Sequence, residues 1–478
     1  MLSGLESFLG VIHTILWDYL LIYLLCGTGI YYTFRLGFLQ VRHFKKAAKS
    51  LFGQITFKGD KADKSGMSSF QAVTTAVAGQ IGTGNLVGPA TAIMTGGPGA
   101  IFWMWISSFF GMATIYAEAI LAQKFKTTDA NGQVVGGPAY YIEKGLGLKW
   151  LAVAFAILII LALGLMGNMV QSNSIATAFE TSLHIPTWVS GLVVSIIMGL
   201  VVMGGISAIA NFTEKIVPSM AVFYLVGALI TLAFNFEYIL PAFKAIFIAA
   251  FNPQAVLGGG VGIAIQEAMR LGIARGLFSN EAGMGSTPHA HAAAKNVKPE
   301  EQGFVAMMGV FMVAVIVTLT GLVIISSGIR GWVESGLALT DPSFLSFYQG
   351  TGSAVTQKAY ELIFGNIGGI FIAVALFFFA FSTIIGWYYY AETNVRYLFN
   401  SPVALYVFQL LAVVGVFFAS MFKVELVWQL TDVFNGFMVL PNLAALLLLS
   451  PIVIRYTRKA LDNQTRFTPV EEKKGKKK

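Results

Sequence analysis

The stretch GQIGTGNLVGP, from Gly79 to Pro89, interrupts an apolar run that extends from Ser68 to Thr95. Its glycines and its proline disfavour a continuous helix, whereas the Ala, Val, Ile and Thr residues on either side favour one membrane-spanning helix. The pattern predicts a helix that unwinds at its middle. In hydrocarbon, unpaired backbone groups are tolerated only where protein or a solvated cavity surrounds them. The stretch is therefore a candidate binding site, and a kink for close helix packing is the alternative.

The composition is that of an all-α polytopic membrane protein. Of the 478 residues, 56% are hydrophobic and 11% are charged, and the mean hydropathy is +0.72. Soluble domains carry roughly 25% charged residues. At about 20 apolar residues for each span, we predict about eleven transmembrane helices. The candidate spans are 8–34, 68–95, 98–122, 150–178, 188–206, 215–236, 256–286, 303–328, 363–391, 403–421 and 427–454.

The orientation follows from the loop after the first span, where Lys and Arg outnumber Asp and Glu. The positive-inside rule makes this loop cytoplasmic, which puts the N-terminus outside and the C-terminus inside. The first span lacks the basic start of a signal peptide and is predicted to be retained. Because the basic residues lie beside spans, the net charge of +8 indicates topology and no nucleic-acid partner. The basic tail is expected to be disordered or to contact anionic lipid headgroups.

A second interruption is predicted in the seventh span, at Leu271 to Gly276, just before the motif SNEAGMGS. It comes five spans after the first, and an odd number of spans for each repeat forces the two copies into opposite orientations. This spacing predicts a five-plus-five inverted repeat with two discontinuous helices. Gly272 in this second interruption is a candidate substrate contact. The predicted segments are 1–67 with an extra helix and a basic loop, 68–236 as first repeat, 237–460 as second repeat, and 461–478 as tail.

The direction of the second span assigns chemistry to the first interruption. Its inner half ends near Gln80 with free carbonyls, which suit a cation, and its outer half begins near Thr83 with free amides, which suit a carboxylate. Gly82 and Gly84 let the backbone approach a solute. The side chains of Gln80, Thr83 and Asn85 are further candidate contacts. One broken helix can thus hold both an alkali ion and the anionic end of an amino acid.

Polar residues in two other spans are weaker candidates. Ser382 and Thr383 lie side by side in an apolar helix, where their hydroxyls either bind a monovalent cation or bond back to their own helix. Asn168, Gln171 and Asn173 in the fourth span either line the cavity or bridge helices.

The charges that fall within or beside spans form a further set, for which structural ion pairing is favoured over a role as gate, proton carrier or substrate contact. Glu267 and Arg270, three apart on one helix face, are predicted to pair. The set consists of Glu118, Glu267, Arg270, Arg275, Glu281 and Glu392. The sequence contains no phosphate-binding loop, nucleophile elbow or H-E-x-x-H helix, and it therefore predicts no enzyme and no ATP drive.

Several long motifs occur in the order found in one transporter family. They are GQIGTGNLVGPATAI with GGPGAIFWMW, the loop GGPAYYIEKGLG, RGLFSNEAGMGSTPHAHAAA and AFSTIIGWYYYAE. With these motifs the chain resembles, over essentially its full length, the sodium:alanine (alanine or glycine:cation) symporters. That family belongs to the transporters with the leucine-transporter-type inverted repeat.

The resemblance implies cotransport of a small neutral amino acid with Na⁺ by alternating access in the plasma membrane. Gly82 to Asn85 look like the segment of the first broken helix that binds the substrate carboxylate and the ion. The sodium site implied by the resemblance comprises the carbonyls of Ala78, Ile81 and Phe379 and the hydroxyls of Ser382 and Thr383. Two alternatives stay open: a proton-coupled transporter that uses Glu118 or Glu267, and a channel or sensor that does not accumulate substrate. Alanine and glycine are equally compatible with the sequence.

Overall fold

The computed structural model describes residues 2–53, 63, 66–130, 132–252, 265–295, 297–334, 352–422 and 425–465. The tail beyond 465, residues 335–351 and the first residues of the predicted seventh span therefore lie outside the described residues. Helices form most of what is described. Strands β1 (Thr127–Thr128) and β2 (Val134–Val135) pair antiparallel, with Thr127 opposite Val135.

The first half of the chain contains thirteen α-helices in the described ranges. They are α1 Leu2–His13, α2 Ile22–Arg35, α3 Leu39–Arg42, α4 Phe44–Phe52, α5 Ser69–Gln80, α6 Thr83–Gly96, α7 Ala100–Phe125, α8 Pro138–Tyr141, α9 Lys149–Ile159, α10 Asn168–Leu183, α11 Thr187–Met203, α12 Gly205–Phe234 and α13 Phe236–Phe251. Short π-helical stretches occupy Thr14–Leu21, Ile142–Leu146 and Ile160–Gly167.

The second half continues with eight described α-helices. They are α14 Ile265–Asn280, α15 Pro288–Ala292, α16 Pro299–Glu334, α17 Gly352–Phe364, α18 Asn366–Phe399, α19 Pro402–Ala419, α20 Glu425–Leu448 and α21 Ser450–Thr465.

Eight helical segments of the described chain are long and apolar enough to cross a membrane. They are Ser7–Arg35, Ala100–Phe125, Lys149–Leu183, Gly205–Phe234, Pro299–Glu334, Asn366–Phe399, Pro402–Ala419 and Val427–Leu448. The interrupted second span is absent from this set because its halves, α5 and α6, have only 12 and 14 residues. The polytopic all-α fold is thus confirmed, while the total of eleven spans and their orientation stay predictions.

Burial separates inner from outer helices. In α7, α16 and α18, 67% of the most apolar window is buried, against 33% in α12 and 22% in α19. Since all five helices are apolar, the difference reflects what they contact: protein around the inner three and the membrane around the outer two. Val222 of α12 and Leu410 of α19 are examples of side chains left to the membrane, at 59% and 64% exposure.

The predicted first interruption is confirmed. Ser68 starts α5 with a capping box, since its hydroxyl accepts from Gln71 N at 3.0 Å and Gln71 Oε1 accepts from Ser68 N at 3.1 Å. The helix ends at Gln80, and α6 begins at Thr83 after two non-helical residues. Pro89 lies inside α6 and has no N–H for the carbonyl of Asn85. The Thr320 hydroxyl donates to that carbonyl instead, at 3.1 Å.

The predicted position of the second interruption is wrong. Leu271 to Gly276 lie inside the continuous helix α14, which ends at Asn280. The chain leaves the helix at residues 281–287, where Glu281, Gly283 and Gly285 all have positive φ, at 55°, 87° and 83°. Single glycines among Leu, Ile, Ala and Arg do not outweigh the helix propensity of their neighbours. The two glycines and the short polar run within SNEAGMGS do end the helix, because these residues permit left-handed backbone conformations.

Candidate functional site

The two interruptions lie against each other. Gln80, the last residue of α5, donates through Nε2 to the carbonyl of Asn280 at 2.8 Å. Ser279 donates through its hydroxyl to Asn85 Oδ1 at 2.5 Å. All four residues are at most 3% exposed. Two side-chain bonds therefore join the end of α14 to both sides of the first break.

The carbonyl end of α5 meets α18. The Thr383 hydroxyl lies 2.9 Å from the Ala78 carbonyl and 3.0 Å from the Phe379 carbonyl. The Ser382 hydroxyl lies 2.9 Å from the same Phe379 carbonyl. These four residues are fully buried. The predicted back-bonding within α18 thus exists, but Thr383 also reaches across to α5, which collects two hydroxyl and two carbonyl oxygens in one place.

This cluster depends on a close backbone approach between α5 and α18. A Cβ on Gly82 would lie 2.5 Å from Thr383 Oγ1, and one on Gly386 would lie 2.8 Å from Gly79 N. Either position would clash if it carried a side chain. Ile81 lies between α5 and Gly82, is 1% exposed, and has left the helical conformation at φ −93° and ψ 74°. The glycines therefore let the broken backbone contact the hydroxyls of α18 directly.

The amide end of α6 faces α10. Gln171 Oε1 accepts from Thr83 N at 3.2 Å, so a side-chain oxygen occupies the position that a ligand carboxylate would take at a helix N-terminus. Asn85 Nδ2 donates back across the break to the carbonyl of Gln80 at 2.6 Å. Gly84, half-buried, has the ring of Phe278 as its neighbour. The break is thus closed by two amide side chains in this conformation.

Asn168 and Gln171 share one face of α10, three residues apart. Asn168 donates to the carbonyl of Gly164 at 3.2 Å, and its Oδ1 is buried with no hydrogen-bond partner among the described residues. Asn173 turns elsewhere and bridges to the carbonyls of Ala419 and Phe422. Both alternatives for this span therefore occur, at different residues: Gln171 contacts the break, whereas Asn173 joins helices.

Gly272 and Arg275 do not belong to this cluster. A Cβ on Gly272 would meet the carbonyl of Ala100 and the side chain of Trp103, because α14 packs closely on α7 there. Arg275 is partly exposed and makes no hydrogen bond or ion pair with the described residues. Gly272 thus serves helix packing, and we leave it out of the substrate site.

A carboxylate holds the second break. Glu118 of α7 accepts from Gly283 N at 3.1 Å through Oε2, and from Gly285 N at 3.0 Å through Oε1. Asn442 of α20 also donates to Glu118 Oε1, at 2.7 Å, and its own Oδ1 accepts from Tyr141. Glu118 is fully buried. Backbone amides of a left-handed turn form an anion-binding concavity, and here a side chain of the protein fills it.

A second carboxylate belongs to the break itself. Glu281 accepts from Trp387 Nε1 at 2.7 Å and from the Ser286 hydroxyl at 2.5 Å. Neither Glu118 nor Glu281 has a Lys, Arg or His partner among the described residues. The expectation of ion pairing is therefore wrong for these two.

Ion pairing is confirmed for the other carboxylates of the set. Arg270 lies 2.6 Å from Glu267 and also 2.6 Å from Asp18. Glu392 lies 2.7 Å from Arg396. These pairs sit at the ends or outer parts of the helices, where long basic side chains reach a polar environment.

Comparisons with known proteins show the family to which the chain belongs. The sequence profile of the sodium:alanine symporter family matches residues 2–473. The chain belongs to this family. It is similar to a sodium/alanine symporter of Methanococcus maripaludis, with 42% identity over 95% of this chain and 96% of that protein. It is also similar to a putative sodium/proton-dependent alanine carrier protein of Bacillus subtilis, with 38% identity over 93% of this chain and 90% of that protein.

The fold is also that of a solved transporter. A crystal structure of a manganese transporter of Eremococcus coleocola matches with a TM-score of 0.50 and 13% identity, over 82% of this chain and 78% of that chain. The predicted leucine-transporter-type fold is confirmed. As a member of the sodium:alanine symporter family, the chain is a multi-pass transporter of the plasma membrane and not an enzyme, as the sequence predicted.

Sequence reasoning missed three side chains that organise the site of this family member. Ser279 and Trp387 bond to the two breaks, and Phe278 covers Gly84. The motif SNEAGMGS held the signal for Ser279, since its glycines mark a break that begins one residue after Asn280. Trp387 carried no such signal, because an aromatic residue in an apolar helix most often serves packing alone.

Glu118→Gln tests the role of the buried carboxylate in the second break. The variant keeps the volume but turns an amide NH₂ toward one of the two glycine N–H groups, which leaves that donor unsatisfied at a cost of roughly 1–3 kcal/mol. We expect the apparent melting temperature in detergent to fall by several degrees. Glu267→Gln is the matched control, since its partly exposed pair contributes little. Equal melting temperatures for both variants would contradict the assignment.

Proposed function

We propose that the protein is a secondary active symporter that couples Na⁺ influx to the uptake of a small neutral amino acid, alanine or glycine, by alternating access. The observation that carries this proposal is the pair of opposite helix ends at one break. Carbonyl oxygens end α5 beside the hydroxyls of Ser382 and Thr383, and amides begin α6 beside Gln171. The two ends carry opposite partial charges and suit opposite ligand charges.

The proposed sodium ligands are oxygen atoms only, which is what a hard cation prefers. They are the carbonyls of Ala78, Ile81 and Phe379 and the hydroxyls of Ser382 and Thr383. In this conformation the hydroxyl protons point to the carbonyls of Ala78 and Phe379. When Na⁺ binds, each hydroxyl turns a lone pair toward the ion. The carbonyls then coordinate the ion instead of accepting hydrogen bonds from the hydroxyls. The ion then ties α5 to α18.

The proposed carboxylate site is the first turn of α6, with Gly82, Thr83, Gly84 and Asn85. Gln171 accepts from Thr83 N in this conformation, so the substrate carboxylate takes over that donor and Gln171 turns to another group of the ligand. Asn168 adds, on the same face of α10, a buried oxygen that has no hydrogen-bond partner among the described residues, which suits the substrate ammonium group. Gln80 and Asn85 complete the site through their bonds to α14.

Coupling follows from the shared helix. Na⁺ bound at the carbonyl end of α5 holds the break in the conformation to which the amino acid binds at the amide end of α6. Each ligand therefore raises the affinity of the protein for the other by the same factor. A Na⁺ gradient can therefore drive accumulation of the amino acid.

Accumulation in proteoliposomes tests this function. With an inward tenfold Na⁺ gradient, equal pH on both sides and no membrane potential, we expect labelled alanine to accumulate up to about tenfold for one-to-one coupling, since each 1.4 kcal/mol corresponds to a factor of about ten. Glycine and glutamine serve as competitors, and the latter measures size selectivity. Empty liposomes are the control for leakage.

Proton coupling is the second candidate, and the buried carboxylates Glu118 and Glu281, which lack a cationic partner among the described residues, favour it. Accumulation driven by a pH gradient in Na⁺-free buffer would support this candidate and contradict the first. Equilibration without accumulation would indicate a channel, and no flux at all a sensor.

A further inference from the structure

An apolar groove opens on the membrane face of the protein, apart from the site at the breaks. Its volume is about 390 Å³, within the range of roughly 300–1,000 Å³ usual for ligand pockets. Four helices form it: α4 with Phe52, α5 with Phe70 and Val77, α12 with Ala221, and α16 with Val315. Val315 and Phe52 are 36% and 62% exposed, so the groove is open toward the membrane along one side.

The groove has the depth of one membrane leaflet. It follows α5 from Phe70 in the first turn to Ile81 at the first break. At 1.5 Å for each residue these eleven steps span about 16 Å. Half of a hydrocarbon core of about 30 Å is about 15 Å. A single extended acyl chain therefore fits the length of the groove, with its end at Ile81.

Basic side chains mark the entrance. Lys49 precedes Phe52 by three residues on α4, and Lys215 precedes Pro218, another lining residue, by three on α12, so each lysine shares a helix face with a lining residue. Both lysines are exposed and make no ion pair with the described residues. The bond of 2.9 Å between Gln71 Nε2 and Glu214 Oε2 puts this turn of α12 beside the first turn of α5.

The sign of the charge at the entrance is positive on balance. Glu214 is an acidic group on this turn of α12, where Gln71 holds its carboxylate, and Glu300 and Glu301 of α16 interact with Lys46. Lys45 of α4 is a third exposed cation beside Lys49 and Lys215. Lys46 of α4 instead lies over the Phe304 ring, 4.7 Å from the ring centroid. Each basic residue near a membrane surface attracts anionic lipid by about 1 kcal/mol. An anionic headgroup is thus the complement of this entrance.

We propose that the groove between α4, α5, α12 and α16 binds one acyl chain of an anionic phospholipid, whose headgroup lies between Lys49 and Lys215. The chain end contacts Val77 and Ile81, the last turn and cap of α5. A lipid in this position packs against α5, the half-helix that ends at the break. The lipid composition of the membrane therefore affects the stability of α5. The proposal is independent of which ion or amino acid is transported.

Photolabelling tests the site. The protein is reconstituted in vesicles of phosphatidylcholine and phosphatidylglycerol that contain a trace of phosphatidylglycerol with a diazirine near the acyl end, and labelled peptides are mapped by mass spectrometry. We expect labels on α5 and α12, and we expect unlabelled phosphatidylglycerol to compete better than phosphatidylcholine. Equal competition by the two lipids would overturn the proposal.

Two variants separate the chain from the headgroup. Ala221→Phe fills the groove, and Val222→Phe, its neighbour with 59% exposure to the membrane, is the matched control. We expect labelling on α5 to fall at least about fivefold in the first variant, the change that about 1 kcal/mol produces, and to stay unchanged in the second. Equal labelling in the two would overturn the groove as the site.

Lys49→Gln with Lys215→Gln tests the headgroup. We expect the preference for phosphatidylglycerol to fall by about fivefold for each lysine removed. Lys144→Gln with Lys149→Gln removes the same charge from another exposed pair and should leave the preference as it is. All four lysines are surface residues, so this pair of double variants keeps the test decisive if Ala221→Phe fails to fold. A preference unaffected by the first double variant would contradict the proposal.

Discussion

Asn85→Ala is expected to reduce amino-acid uptake at least about a hundredfold while the protein still folds and inserts. The side chain bonds to Gln80 O at 2.6 Å and to the Ser279 hydroxyl at 2.5 Å. Its removal leaves a buried carbonyl and a buried hydroxyl without partners, at roughly 1–3 kcal/mol each. The two costs together reach about 2.7 kcal/mol, the free-energy difference that corresponds to a hundredfold change in uptake. Uptake of labelled alanine into proteoliposomes measures the effect.

Asn173→Ala is the control for Asn85→Ala. Asn173 also uses its amide to bridge carbonyls, at 3.0 Å to Ala419 and to Phe422, but it lies away from the break. We expect uptake within about twofold of the wild type, because these two bonds stabilise helix contacts by about 1 kcal/mol each and touch no ligand. Near-normal uptake in Asn85→Ala, with equal yield and equal elution volume, would show that its amide has a structural role only.

Thr383→Ala is expected to raise the Na⁺ concentration for half-maximal uptake about tenfold. The hydroxyl joins Ala78 on α5 to Phe379 on α18, at 2.9 Å and 3.0 Å, and it is a proposed ligand of the ion. Loss of one such interaction costs about 1.5 kcal/mol, or about a factor of ten. Because coupling is reciprocal, the apparent alanine affinity at fixed Na⁺ should fall as well. Initial uptake rates over a Na⁺ series provide both values.

Thr393→Ala supplies the matched control on the same helix. Thr393 is 2% exposed and donates to the carbonyl of Tyr389, four residues before it. It shares with Thr383 the i−4 bond but not the bond across to α5. Thr383→Ser retains the hydroxyl and should restore most of the sodium dependence. If the dependence of uptake on Na⁺ concentration is unchanged in Thr383→Ala, Na⁺ does not bind at this site.

Local sequence was enough for the first interruption. The glycines of residues 79–89 lower helix propensity over a short stretch, and the boundaries at Gln80 and Thr83 agree with the prediction. The pair of Glu267 and Arg270 was equally local, since residues three apart on a helix always face the same side. The apolar runs likewise predicted membrane helices, because length and hydropathy alone meet that requirement.

The second interruption shows where local patterns fail. Gly272 and Gly276 suggested a break, but each packs its bare backbone on α7, against Ala100 and Met104 respectively. A glycine that lets two helices touch and a glycine that ends a helix look alike in one sequence. What distinguishes them is the neighbouring helix, which the sequence does not display.

By itself, the sequence determined that this chain is a polytopic membrane protein with a broken second span, because hydropathy and glycine content act over a few neighbouring residues, and its motifs resemble those of a transporter family. Only the tertiary structure decided what fills the breaks. Gln171 meets Thr83, Glu118 meets Gly283, and Thr383 meets Ala78, at separations of 88, 165 and 305 residues along the chain. In hydrocarbon every freed backbone group needs a partner, and only the folded chain brings these partners together.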